Sequence, residues 1–167
     1  TRAEMLGDSA AFRALRANLD KVTKSNGRVM LAGEPGAGKE TAARYIHANS
    51  SRAAAPFVCV SSASIAPERF EEVLFGRESA GRGVEKGLLE QAHGGVIYFD
   101  EVADMPLVTQ SKILRVLVDQ QFNRVGGTEK VQVDLRVISS TTRDLKAAIA
   151  REDFHRAAAL KRQLDAL

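Results

Sequence analysis

The sequence predicts an α/β fold in which a parallel sheet carries helices on both faces. Three observations support this. Four short apolar runs are continuous rather than alternating, the pattern of strands buried on both sides. Segments of helical periodicity alternate with those runs. Between the first such strand and the first such helix stands "GEPGAGKE", residues 33–40, a glycine-rich loop where phosphate-binding loops occur.

Taken in order, "GDSAAFRALRANLDKV" places Phe12, Leu15, Leu19 and Val22 on one helical face, with Asp8 or Ser9 as its cap. "GRVMLAG" is a buried strand ending at Gly33, and "KETAARYIHAN" is the helix after it. "PFVCVSS" is a second strand and "PERFEEVLFG" a second helix. "EKGLLEQA" forms a short helix leading into the third strand, "GGVIYFDE". "PLVTQSKILRVLVDQ" is helical, with Leu107, Ile113, Leu114, Leu117 and Val118 as its apolar stripe. "QFNRVGGTEKVQV" alternates about a Gly-Gly turn and predicts a hairpin. "LRVISST" is the fourth strand, "DLKAAIA" a helix, and Leu160, Leu164 and Leu167 give the tail a helical spacing.

Length and composition set the limits. The 167 residues suffice for one domain with a real core. Apolar residues at 44% and charged residues at 27% are ordinary for a globular chain. No apolar run reaches the roughly 18 residues that span a bilayer, so no membrane partner is expected. The net charge of +3, from 24 Lys and Arg against 21 Asp and Glu, is scattered and too mild to predict nucleic-acid binding. Cys59 stands alone, which excludes an internal disulfide and fits a reducing cytoplasm, and it is expected in the core. His47, His93 and His155 share no metal-site spacing. The start at Thr1, without a leader, reads as a piece of a longer protein.

In the loop, Gly33, Gly36 and Gly38 allow a tight turn whose N–H groups converge on one anion. The following helix adds its positive end, and Lys39 a mobile charge for the β and γ phosphates of a nucleotide. The plainer alternative is a glycine-rich turn that merely joins strand to helix. One position breaks the pattern: the residue after the lysine, normally a hydroxyl on magnesium, is Glu40. "VIYFDE" then runs four apolar residues into two acids at a strand end. Asp100 is placed to hold Mg²⁺ and Glu101 to orient or deprotonate an attacking water, the alternative being two exposed acids. Thr141 and Thr142 end the fourth strand as polar sensors or as turn formers.

From Leu6 to about Arg156 the chain resembles the AAA+ ATPase domain of bacterial enhancer-binding response regulators. These belong to the sigma-54 interaction family of the NtrC and NtrX type, and the likeness is greatest to the NtrX subgroup. The segments that carry it are "GEPGAGKE", "LFG", "LLEQAHGGVIYFDEVADMP", "KILRVLVDQQFNRVGG" and "LRVISSTT". In this family Glu is the usual residue after the loop lysine, so Glu40 is the family's form. The resemblance implies a three-layer P-loop NTPase core that binds ATP or ADP with Mg²⁺. Gly33, Glu34, Pro35, Gly36, Ala37, Gly38, Lys39, Glu40, Thr41, Thr141 and Thr142 would line the nucleotide. Asp100 would hold the metal and Glu101 activate water. Residues 1–167 would then be one nucleotide-binding core: 1–24 a helix and linker, 25–150 the P-loop unit, and 151–167 a C-terminal helix.

Several departures qualify that expectation. Where the family carries a Gly-Ala-Phe-Thr-Gly-Ala loop that touches the sigma factor, this chain reads "RESAGRGVEKGLL", shorter and without an aromatic tip. Ser61 stands where the family usually has an Asn partner of the catalytic Glu. "AREDFHR" is one residue shorter than the segment carrying arginine fingers, so a one-residue shift turns the finger candidates Arg151 and Arg156 by about 100° from the family's helical positions. The family's helical lid, receiver and DNA-binding domains are expected to lie outside this piece.

The expectation is therefore an ATP-binding core of a cytoplasmic two-component regulator, impaired in sigma-54 remodelling and hydrolysing slowly. It would self-associate as a ring or dimer in the full protein and reach DNA only through another domain. The alternative is a non-hydrolysing dimerisation and nucleotide-responsive module. An unrelated P-loop motor fits the two phosphate motifs but not "QQFNRVGG".

Overall fold

The computed structural model describes residues 19–33 and 38–142. All four predicted strands form, as β1 (Val29–Ala32), β2 (Phe57–Ser61), β5 (Val96–Asp100) and β8 (Arg136–Thr141). They pair in parallel in the order β1-β8-β5-β2. Parallel strands need long crossovers, and the helices between them provide these. Residues 19–23 are the described part of the first helix (α1). α2 (Lys39–Ala48), α3 (Phe70–Phe75), α4 (Leu88–Gln91) and α5 (Leu107–Asp119) follow. Phe12, Leu15, the "DLKAAIA" segment and the leucine-spaced tail lie outside the described residues.

Alternation along β5 divides the core in two. Val96 and Tyr98 face α2, where they meet Ala43, Tyr45, Ile46 and Ile138. Ile97 and Phe99 face the other way, against Phe70, Leu74, Leu89 and Ile113. All four β5 residues are buried, and each such side chain stabilises the fold by about 1.5–3 kcal/mol. By the same alternation Asp100 continues the α2 face at the strand's open end. Cys59, expected in the core, is half-buried and packs against the α2 side.

Helix α2 starts where Gly38 takes φ 84°, a left-handed conformation that glycine adopts without penalty. It stops where the Asn49 amide donates to the Tyr45 carbonyl at 2.9 Å and the Ser50 hydroxyl to that of His47 at 2.8 Å. Pro67 opens a single 3-10 turn, and only then does α3 begin, so the predicted second helix is shorter than its sequence pattern.

Two findings correct the sequence reading. The stripe assigned to α5 is only partly the buried one. Thr109, Gln110, Ile113 and Val116 are buried, whereas Leu107 is 63% and Val118 80% exposed. At about 100° per residue, Leu107 and Val118 lie on one line, far from the face centred on Ile113. Leu114 and Leu117 flank the core. The Gln110 amide is buried because it donates to the Met105 carbonyl at 2.8 Å, which fixes the helix start against the preceding turn.

The second finding is a hairpin absent from the sequence reading, β3 (Arg77–Ser79) with β4 (Gly83–Glu85), in the stretch that departs from the family loop. It sits beside the expected hairpin, β6 (Gln121–Asn123) with β7 (Lys130–Gln132). An Arg77–Val125 bridge joins the two hairpins. Arg124 clamps them: it donates to both oxygens of Glu90 at 2.7 and 2.9 Å and reaches Glu78 at 3.4 Å. At the base, Gly76 has φ +78°, and a Cβ there would lie 2.3 Å from the Glu85 carbonyl.

Candidate functional site

The carboxyl ends of β1, β5 and β8 form one rim, where ligands bind in open parallel sheets. Register sets the neighbours: Ala32 stands beside Thr141, and the Gly33 N–H donates to the Thr141 carbonyl at 3.2 Å. On the other side Ser61 pairs with Asp100. A cleft opens here, lined by Gly38, Lys39, Glu40, Thr41, Tyr98, Asp100, Glu101 and Thr142. Most of the sequence-predicted candidates among the described residues thus meet in one place. Glu34, Pro35, Gly36, Ala37, Arg151 and Arg156 lie outside the described residues.

Lys39 folds back so that its ammonium donates to the Gly33 carbonyl at 2.5 Å. Glu40 turns away. It is 55% exposed, and its carboxylate lies 3.6 Å from Arg44 one helical turn on. Arg44 in turn stacks over the Phe57 ring, 4.7 Å from its centre. The acid that breaks the phosphate-loop pattern therefore stands between Arg44 on the helix surface and Cys59 at the cleft edge.

Glu101 has φ 55° and ψ 64°, a left-handed conformation costly for a residue with a side chain. Its carboxylate is fully engaged. Thr141 donates its hydroxyl to Oε1 at 3.1 Å, while Thr142 gives Oε2 its N–H at 2.7 Å and its hydroxyl at 2.6 Å. Ser61, at the end of β2, accepts a hydrogen bond from the Ser64 hydroxyl at 3.1 Å. The sensor strand does the holding instead. Ser140, which the sequence reading passed over, accepts from the Glu101 N–H and donates to Asp100 Oδ1, each at 3.1 Å. Its signal was a serine inside an apolar strand, one register step from the two acids.

Two weaker acids flank the cleft. Burial, reinforced by the Glu40 carboxylate, pushes the Cys59 thiol up to about 11. Burial also pushes the Tyr98 phenol up to about 12, with neighbouring Ser140 opposing and the Asp100 charge adding. The Tyr98 oxygen is buried with no hydrogen-bond partner among the described residues. Such an orphan costs about 1–3 kcal/mol unless something else satisfies it.

Among the described residues no cluster of three or more His, Cys, Asp or Glu could hold a metal. The donor set still fits one ion. Asp100 is a hard oxygen donor at the strand end, and magnesium commonly takes one or two carboxylates plus phosphate oxygens and waters. No helix among the described residues is long and apolar enough to cross a membrane.

The family described as the sigma-54 interaction domain matches residues 5–162. The chain belongs to that family. The nitrogen assimilation regulatory protein NtrX of Azorhizobium caulinodans is 51% identical over 158 residues, covering 91% of this chain and 35% of that protein. The crystal structure of NtrX from Brucella abortus in complex with ADP superposes with a TM-score of 0.84 at 52% identity, covering 98% of this chain and 36% of that one. The corresponding NtrX complex with ATP gives a TM-score of 0.81 at 55% identity over 93% of this chain and 35% of that one. The fold is thus that of the P-loop NTPase core of sigma-54 activators, and the chain spans about a third of the length of the relatives it matches.

Proposed function

We propose that this chain is the ATP-binding AAA+ core of an NtrX-like two-component transcriptional regulator. The observation that carries the reading is the convergence of Lys39, Asp100 and Glu101 on one cleft at the rim of the sheet. Similar chains crystallised with ADP and with ATP support a nucleotide there. Residues 33–41 would wrap the phosphates, with Lys39 leaving the Gly33 carbonyl to neutralise them. Asp100 would be the residue to hold Mg²⁺, which when bound would supply positive charge to the phosphates.

Glu101 is the proposed base or orienting group for water. Its three hydrogen bonds to Thr141 and Thr142 keep it from that task until they loosen. Arg151 and Arg156 are the proposed fingers toward a neighbouring subunit in a ring or dimer. The core is treated as 25–150, between a leading helix and a trailing one, in a cytoplasmic protein whose DNA contact comes from another domain.

The short β3–β4 hairpin supports impaired sigma-54 remodelling. Its tip, Ala80 to Arg82, offers no aromatic to a partner, and Arg124 ties its flank to the neighbouring hairpin. The same observation favours the second reading, a nucleotide-responsive dimerisation module that does not hydrolyse. Phosphate release followed against protein concentration separates them. Slow release that rises steeply with concentration is the expected outcome. Robust turnover by a monomeric sample contradicts the assembly requirement, and release at no concentration selects the second reading.

A further inference from the structure

The loop pattern loses a hydroxyl at position 40, and the cleft holds another that has no partner. Tyr98 lies two residues before Asp100, so both project from the same face of β5. Its side chain is 1% exposed and forms part of the same wall as Lys39, Glu40, Thr41 and Asp100. Buried hydroxyls are nearly always hydrogen-bonded, so an orphan at a ligand cleft points to the ligand as the partner. The other three buried orphans among the described residues, on Ser62, Gln110 and Ser139, do not line this cleft.

Ser140 gives its only proton to Asp100 and accepts from the Glu101 N–H, so it has no proton for Tyr98. Its remaining lone pair can take the Tyr98 proton but leaves the lone pairs of the Tyr98 oxygen without a donor. Glu40 lies between Arg44 and the Cys59 thiol and cannot replace a donating hydroxyl, since a carboxylate only accepts.

We propose that the Tyr98 hydroxyl replaces the hydroxyl that position 40 lacks, by holding the water shell of the Mg²⁺ bound with the nucleotide. The inference rests on the nucleotide reading above and deepens it. Tyr98 is a positioning residue and does not ligate the metal. It accepts a hydrogen bond from a metal-bound water and donates to a phosphate or carboxylate oxygen, the kind of outer contact that orients first-layer ligands.

The test is calorimetric titration of ADP into this chain and into Tyr98→Phe, each with Mg²⁺ and with EDTA. In the parent, Mg²⁺ should tighten ADP. In the variant that gain should fall by about tenfold, with affinity in EDTA unchanged and the melting temperature of the nucleotide-free chain equal or higher, since the unpartnered oxygen is gone. Adding Glu40→Thr to Tyr98→Phe should recover part of the gain, because it restores a hydroxyl at the loop, which a packing role for Tyr98 would not predict. An equal Mg²⁺ gain in parent and Tyr98→Phe overturns the Tyr98 proposal and leaves the nucleotide reading intact. A folded parent that binds ADP in neither condition overturns both.

Discussion

Glu101 combines an unfavourable backbone with a full set of hydrogen bonds. A non-glycine residue held at φ 55° costs on the order of 1–3 kcal/mol, and such strain persists where the surroundings over-determine it. Here those surroundings are Ser140, Thr141 and Thr142. The sequence placed Asp100, Glu101, Thr141 and Thr142 near one another, because strand ends carry their own markers. It did not reveal which threonine grips which oxygen, since that depends on a register between strands forty residues apart. Ser140 and Tyr98 were missed for a related reason: within an apolar run each reads as a strand residue.

Cys59 and Tyr98 give a pH dependence at the same scale. Both pKa values are higher in the folded chain, about 11 against 9.0 for the thiol and about 12 against 10.0 for the phenol. Below pH 9 both states keep both protons, and the contribution is whole. From pH 9 to about 11 the unfolded chain loses the thiol proton first, so stability falls, and Tyr98 continues the fall from 10 to about 12. Thermal melts taken between pH 8 and 11 should therefore decline, less so for Cys59→Ser combined with Tyr98→Phe. A double variant with the parent's slope would contradict these assignments.

Among the elements, the four strands and their order of appearance were legible because continuous apolar runs have few other uses. Helix α5 was legible as a helix but not in its rotation. Its buried face includes Thr109 and Gln110, whose burial rests on packing and on the bond to Met105, which composition does not encode. The β3–β4 hairpin was not legible at all. "RESAGRGVE" has little apolar pattern, and the bridge to Val125 and the Arg124 clamp hold it in place. Arg124 and Glu90 are largely buried at 15% and 8% exposure. Arg124→Ala leaves the Glu90 carboxylate without its bidentate partner and should cost about 3 kcal/mol in urea unfolding. Arg124→Lys should cost less but more than half as much, since a single ammonium cannot match the fork. A loss under about 0.5 kcal/mol for Arg124→Ala would mean the clamp is a surface ion pair.

Across the whole molecule, stability and chemistry sit at opposite ends of one sheet. At the far end from the cleft, Arg136 is buried and donates to the carbonyls of Val22 at 2.5 Å and Gly27 at 3.3 Å. Burial, with the Arg52 charge adding, lowers its pKa, yet it closes the end of α1 onto β8. Nothing in "DLRVISS" announced that role. At the other end, a loop, a strand pair and a helix start meet around charges of both signs, which is where a polyphosphate with its metal would lie. Family membership and the sheet order agree on this division.

The most direct check on it is titration of a fluorescent ATP analogue with Mg²⁺ into this chain and into Lys39→Ala. Saturable binding that weakens on the order of a hundredfold in the variant is the predicted result, the size expected when a charged hydrogen-bond partner of a phosphate is removed. Equal binding by both proteins, or none by the parent, would contradict a nucleotide site between the 33–40 loop and Asp100.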